Sequence, residues 1–168
     1  NAGNEVFLNC TDSTSYRCNI YSGGHIYNQT GSYGQFSDER IKSEITDANS
    51  QWDDIKAVRV RNFKKNIDIS QDGDDAKKQI GVIAQEIELI SPHLIDEVPP
   101  SDYDIKYNGF GEQDEDGEWK VKKDVNGDDV KVKAVAYSVL QMKAFKALQE
   151  AMAKIETLET KVTALENA

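Results

Sequence analysis

Residues 134–168 read AVAYSVLQMKAFKALQEAMAKIETLETKVTALENA, and this stretch decides the architecture. It holds no Gly or Pro and is dominated by Ala, Glu, Lys, Leu and Met, which predicts one long helix over 134–168. Apolar residues recur at Phe145, Leu148, Met152 and Ile155, spaced 3, 4 and 3, then at Leu158, Val162 and Leu165, spaced 4 and 3. Both runs are coiled-coil seams, and the three-residue step from Ile155 to Leu158 is a stammer-like break in phase. So narrow a stripe leaves an isolated helix marginal, so the spacing predicts partner helices.

The chain ahead of the helix divides in two. Residues 1–36 are rich in Asn, Ser, Thr, Gly and Tyr, with apolar bursts at Val6-Phe7-Leu8, Ile20-Tyr21 and Ile26-Tyr27. These are strand-length and separated by turn residues, Ser22-Gly23-Gly24 and Thr30-Gly31. Three weak strands make no independent core, so the segment reads as the end of a larger β structure. Residues 37–133 are mixed. Ala57–Phe63 alternates apolar and polar, the period of a half-buried strand. Gln79–Ile83 is β-rich, and Ala84–Ile90 carries a helical stripe. Asn126-Gly127 sits between Trp119–Lys123 and Val130–Lys133, a hairpin signal.

Bulk properties exclude several functions. Of 168 residues, 38% are hydrophobic and the net charge is −10, against a nucleic-acid or anionic-membrane partner, both of which need a basic patch. No apolar run approaches the roughly 20 residues of a membrane span. The start, Asn1-Ala2-Gly3-Asn4, has neither the basic end nor the apolar stretch of a signal peptide, and without an initiating Met the chain reads as part of a longer one. Cys10 and Cys18 read as reduced structural thiols, and no CxxC or Cys–His spacing suggests zinc. Three Asp-rich loops, 72–75, 114–117 and 124–129, lack the twelve-residue calcium pattern and read as turns, so no metal or cofactor is expected. His25 and His93 stand apart from any triad pattern.

Where the composition changes stands Phe36-Ser37-Asp38-Glu39-Arg40-Ile41-Lys42. A Ser and a Lys five residues apart pair if the chain turns back on itself. A neutral lysine amine then serves as general base for the hydroxyl, if desolvation or a neighbouring cation such as Arg40 disfavours the ammonium.

Residues 37–42 resemble the Ser-Asp-x-Arg-Leu-Lys motif that opens the intramolecular chaperone, or self-cleaving peptidase, domain of phage tail fibres and endosialidase tailspikes. Further blocks match in order. Gly81-Val82-Ile83-Ala84-Gln85-Glu86-Ile87-Glu88 with Ser91-Pro92-His93-Leu94-Ile95 is similar to that family's Gly-Phe-Ile-Ala-Gln-Glu-Val-Glu block and its downstream Pro-x-Leu-Val. Ala134-Val135-Ala136-Tyr137-Ser138 and the final helix are similar to the start and body of its terminal coiled coil. Ile41 for Leu and Val82 for Phe are conservative departures.

The resemblance implies Ser37 as nucleophile, Lys42 as its base, Phe36–Ser37 as the scissile bond, and orienting or structural roles for Asp38 and Arg40. It implies a single-turnover self-cleaving serine endopeptidase and an intramolecular chaperone that trimerises and registers the upstream fibre of its own chain. The expected fold is α+β: the end of the β fibre over 1–36, a chaperone and autoprocessing domain over 37–133, and a trimeric coiled-coil helix over 134–168. The fibre is expected to be made in the host cytoplasm and to end in the virion tail, with the chaperone released after cleavage. A permanent trimerisation foot and a receptor-binding tip, the latter using loops around 96–118, are the competing readings.

Overall fold

The computed structural model describes residues 5–168. The chain forms two compact units, the first ending at Asp47 and the second running from Ala48 to Ala168.

The first unit carries three antiparallel strands, β1 (Val6–Thr11), β2 (Tyr16–Tyr21) and β3 (Ile26–Asn28), in that spatial order. Each contains one of the apolar bursts. Asp12 closes the first turn, its Oδ1 accepting from the Thr14 and Ser15 amides at 2.8 and 3.0 Å. Such an Asx turn satisfies amides that the ladder leaves free. Val6, Phe7, Leu8, Tyr16 and Tyr27 remain exposed, so the sheet has no core of its own.

The second unit is a small mixed α/β body with a long C-terminal helix. In order it contains α1 (Trp52–Ala57), β4 (Arg61–Phe63), α2 (Asn66–Asp72), β5 (Gln79–Gly81) and α3 (Ala84–Glu88). Then follow β6 (Ile95–Val98), α4 (Asp102–Tyr107), β7 (Gly111–Gln113), β8 (Trp119–Val121), β9 (Val132–Val135) and α5 (Tyr137–Glu166). The strands pair antiparallel in twos: β4 with β5, β6 with β9, β7 with β8. Ile87 of α3 and Leu94 of a following 3-10 turn are each 1% exposed, and with Ala76, Ser91, Gly111 and Ala147 they are the buried residues among those described.

Three local expectations change. Of the alternating run 57–63 only Arg61–Phe63 is strand, because α1 continues through Ala57. The turn at Asn126-Gly127 forms, with Asp124 accepting from the Asn126 and Asp128 amides at 2.8 and 3.0 Å. Its flanks meet only at a single bridge, Lys123–Asp129, and then part to different sheets, Trp119–Val121 to β7 and Val132–Val135 to β6. The long helix starts at Tyr137 rather than Ala134, since pairing of Ile95 with Val135 and Asp96 with Ala134 holds those residues extended. Non-local pairing overrides helix propensity there.

α5 has two working faces. Lys143, Ala147, Glu150 and Lys154, spaced 4, 3 and 4, turn to α1. Lys143 Nζ donates to Asp54 Oδ2 at 2.7 Å, and Asp54 also accepts from Ser91 Oγ at 2.9 Å. Glu150 accepts from Ser50 Oγ at 2.7 Å and from the Gln51 amide at 2.9 Å, taking up a donor at the start of α1. Lys154 Nζ lies 3.5 Å from the centre of the Trp52 ring, a cation–π contact. On the far side Phe145, Leu148, Met152 and Ile155, and below them Leu158, Val162 and Leu165, stay exposed in the single chain.

The family-like blocks converge on this frame. Gly81 is tightly packed, since an added Cβ would lie 3.0 Å from Tyr137 Oη and 3.2 Å from the Phe63 ring and those side chains would have to give way. Glu86 binds the guanidinium of Arg61, whose Nε donates at 3.2 Å, and also that of Arg59. Glu88 accepts from Lys133. α3 is thus tied to β4 on one side and to β9 on the other.

Candidate functional site

Residues 31–38 carry no regular structure, and Phe36 within them is 94% exposed. Asp38 then starts a single 3-10 turn, Glu39–Ile41. Its Oδ1 accepts from the Arg40 amide at 2.9 Å, an N-cap that uses an otherwise unpaired donor. Ile41 N donates to Asp38 O at 3.2 Å and Lys42 N to Glu39 O at 3.0 Å. The turn reverses the chain, and Lys42 Nζ arrives 2.6 Å from Ser37 Oγ. Both side chains are exposed.

Asp38 and Arg40 form the second contact of the motif. Arg40 Nε and Nη2 donate to the two carboxylate oxygens at 2.9 and 2.6 Å. The guanidinium holds the Asp38 carboxyl below the usual carboxylate range, and the carboxylate holds Arg40 further protonated. Arg40 is thus paired with Asp38. The same Asp38 carboxylate caps the turn and fixes Arg40.

The carboxylates of two of the Asp-rich loops are accounted for locally. Asp114 Oδ1 accepts from the Asp116 and Glu118 amides, as Asp124 does in its own loop, so both carboxylates serve turns. Among the described residues no cluster of His, Cys, Asp and Glu could hold a metal ion. His25 stacks obliquely on Tyr27, with ring centres 6.1 Å apart, and His93 lies on the 3-10 turn Pro92–Leu94. No described helix is long and apolar enough to cross a membrane. The clasp of Lys143, Glu150 and Lys154 on α1 was not anticipated. Its signal was the charged residues Lys143, Glu150 and Lys154, spaced 7 and 4, on the face opposite the apolar stripe.

Residues 37–96 match the model of the peptidase S74 family, described as the chaperone of endosialidase. The match spans the Ser37–Lys42 motif and the Gly81–Glu88 block and ends within β6. A solved structure described as "a novel intramolecular chaperon" aligns with 70% of this chain and 99% of its own, at 20% identity and a TM-score of 0.46. The comparison with curated proteins gives no match.

Proposed function

We propose that this chain trimerises and registers the fibre segment preceding it, in a phage tail fibre or tailspike, and then releases itself by cutting Phe36–Ser37. The observation that carries the reading is Lys42 Nζ at 2.6 Å from Ser37 Oγ, beside an exposed, unstructured bond. Ser37 Oγ attacks the Phe36 carbonyl carbon while the neutral amine of Lys42 takes the hydroxyl proton. The C–N bond breaks, the Ser37 amine leaves with a proton returned from Lys42, and an ester joins Phe36 to Ser37 Oγ. Water hydrolyses that ester, leaving a carboxylate on Phe36 and restoring the hydroxyl. The reaction occurs once per chain.

The neutral amine is the demanding part. Exposed to water, a lysine favours its charged form, so the pair is competent once assembly covers it and desolvation opposes the charge. Cleavage thereby follows folding. The chaperone role rests on the exposed seam of α5: three such helices bring three fibre strands to one place and one register, shortening a slow, non-local search. Loss of the chaperone then traps the fibre kinetically.

Mass spectrometry of freshly expressed protein tests this. The wild type yields a fragment beginning at Ser37, whereas Ser37→Ala and Lys42→Met stay full length while remaining folded trimers. Cutting of Ser37→Ala at the same bond refutes self-processing. A wild-type chain that folds and stays whole leaves a permanent trimeric foot.

A further inference from the structure

We propose that Cys10 and Cys18 form a cross-strand dithiol that oxidises to an intrachain disulfide, with a small-molecule disulfide such as oxidised glutathione as electron acceptor. The inference is independent of the cleavage chemistry. They are the two cysteines of the sequence, and β1 and β2 pair them directly, Cys10 opposite Cys18. Opposed residues of an antiparallel pair project to the same face.

The ladder fixes which kind of pair this is. Tyr21 N donates to His25 O at 2.9 Å and Gln29 N to Arg17 O at 3.1 Å, so the odd positions of β2 bond to β3. Cys18 therefore directs its amide and carbonyl at β1. A hydrogen-bonded pair has Cα atoms about 5.5 Å apart, inside the span of about 4.4–6.8 Å that a disulfide bridges. A register shift lies immediately beside the pair, between Cys10 and Thr11, and lets the strand adjust locally. Both thiols are free, with Cys10 exposed and Cys18 partly covered.

The exchange balances in two steps. The Cys10 thiolate attacks one sulfur of oxidised glutathione, forming a mixed disulfide and expelling one glutathione thiolate. The Cys18 thiolate attacks the Cys10 sulfur and expels the second, so two electrons and two protons leave the protein and two glutathione thiols form. The product fixes a register that is otherwise interrupted on both sides, at Val6/Leu8 and at Cys10/Thr11.

The test equilibrates the intact chain in glutathione redox buffer and maps the cysteine peptides by mass. The expected product is a Cys10–Cys18 crosslink lacking glutathione, while Cys18→Ser keeps one glutathione on Cys10. Oxidation in the folded chain is favoured at least about tenfold over the urea-unfolded chain, about 30 mV in reduction potential. Persistent glutathione adducts, an interchain disulfide, two unreacted thiols, or equal oxidation in urea each overturn the proposal.

Discussion

Replacing Leu158 and Val162 together with Asp strikes the proposed three-helix seam below its phase break. In the single chain Leu158 is 59% and Val162 51% exposed, so about half of each side chain remains to be covered by partners. Full burial of such a side chain contributes about 1.5–3 kcal/mol, so the available half contributes about 1 kcal/mol per position and chain. Across two positions and three chains the lost burial alone is about 6 kcal/mol. Six carboxylates forced into the seam without partners add at least about another 1 kcal/mol each. Even the smaller figure lowers the trimer association constant by about four decades, at about 1.4 kcal/mol per tenfold. Sedimentation equilibrium at micromolar protein reads this directly, with Leu158→Ile and Val162→Leu as variants that keep the seam apolar. The double Asp variant should run as a monomer and the conservative pair as a trimer. A double Asp variant sedimenting as an unchanged trimer refutes the seam.

Removing Asp54 should cost more than removing its partner, because Lys143 is only 11% exposed while Asp54 is 39% exposed. Asp54→Ala strands a covered ammonium and the buried Ser91 hydroxyl, for about 2–4 kcal/mol, whereas Lys143→Met keeps the stem and leaves a half-wetted carboxylate, for about 1 kcal/mol. Urea unfolding by circular dichroism at fixed protein concentration gives both values, and the reverse order contradicts the clasp. Acid should loosen the second unit. Asp54 is held low chiefly by Lys143, Glu86 by Arg61 and Glu150 by Ser50, against ordinary values of 3.8 for Asp and 4.5 for Glu. A carboxyl with a depressed folded value stabilises the fold fully above its unfolded value and ceases to as pH falls through the folded one. Thermal midpoints should therefore be flat above about pH 5 and fall steadily below about pH 4.5, and a midpoint rising in that acid range rejects the assignment.

How much of this was legible followed how local each cause is. Ser37 and Lys42 were readable because the device that joins them, an Asp-capped single turn, is complete within six residues. The apolar stripe of α5, exposed in the single chain, was readable for the same reason, since its period is written along one element. Ala134 and Val135 were misread as helix because their partners, Asp96 and Ile95, lie far back in the sequence and outweigh propensity. The Asn126-Gly127 turn was seen, but not that its flanks part to separate sheets, because β7 is three residues, Gly-Glu-Gln, with no strand signature. The pairing of Arg40 with Asp38 was not read, because spacing records proximity, not which neighbour a guanidinium chooses.

α5 is 30 residues long, about 45 Å at 1.5 Å per residue, yet its clasp on α1 ends at Lys154. The twelve residues from Ile155 to Glu166, about 18 Å, run on with every side chain exposed. A helix that short is marginal in water without support. The upper part therefore owes its order to its own chain, and in the proposed trimer the lower part owes its order to the other chains. On that proposal the molecule carries its own census-taker: a segment whose coiling registers the local number of subunits, on the same polypeptide as the bond at Phe36–Ser37.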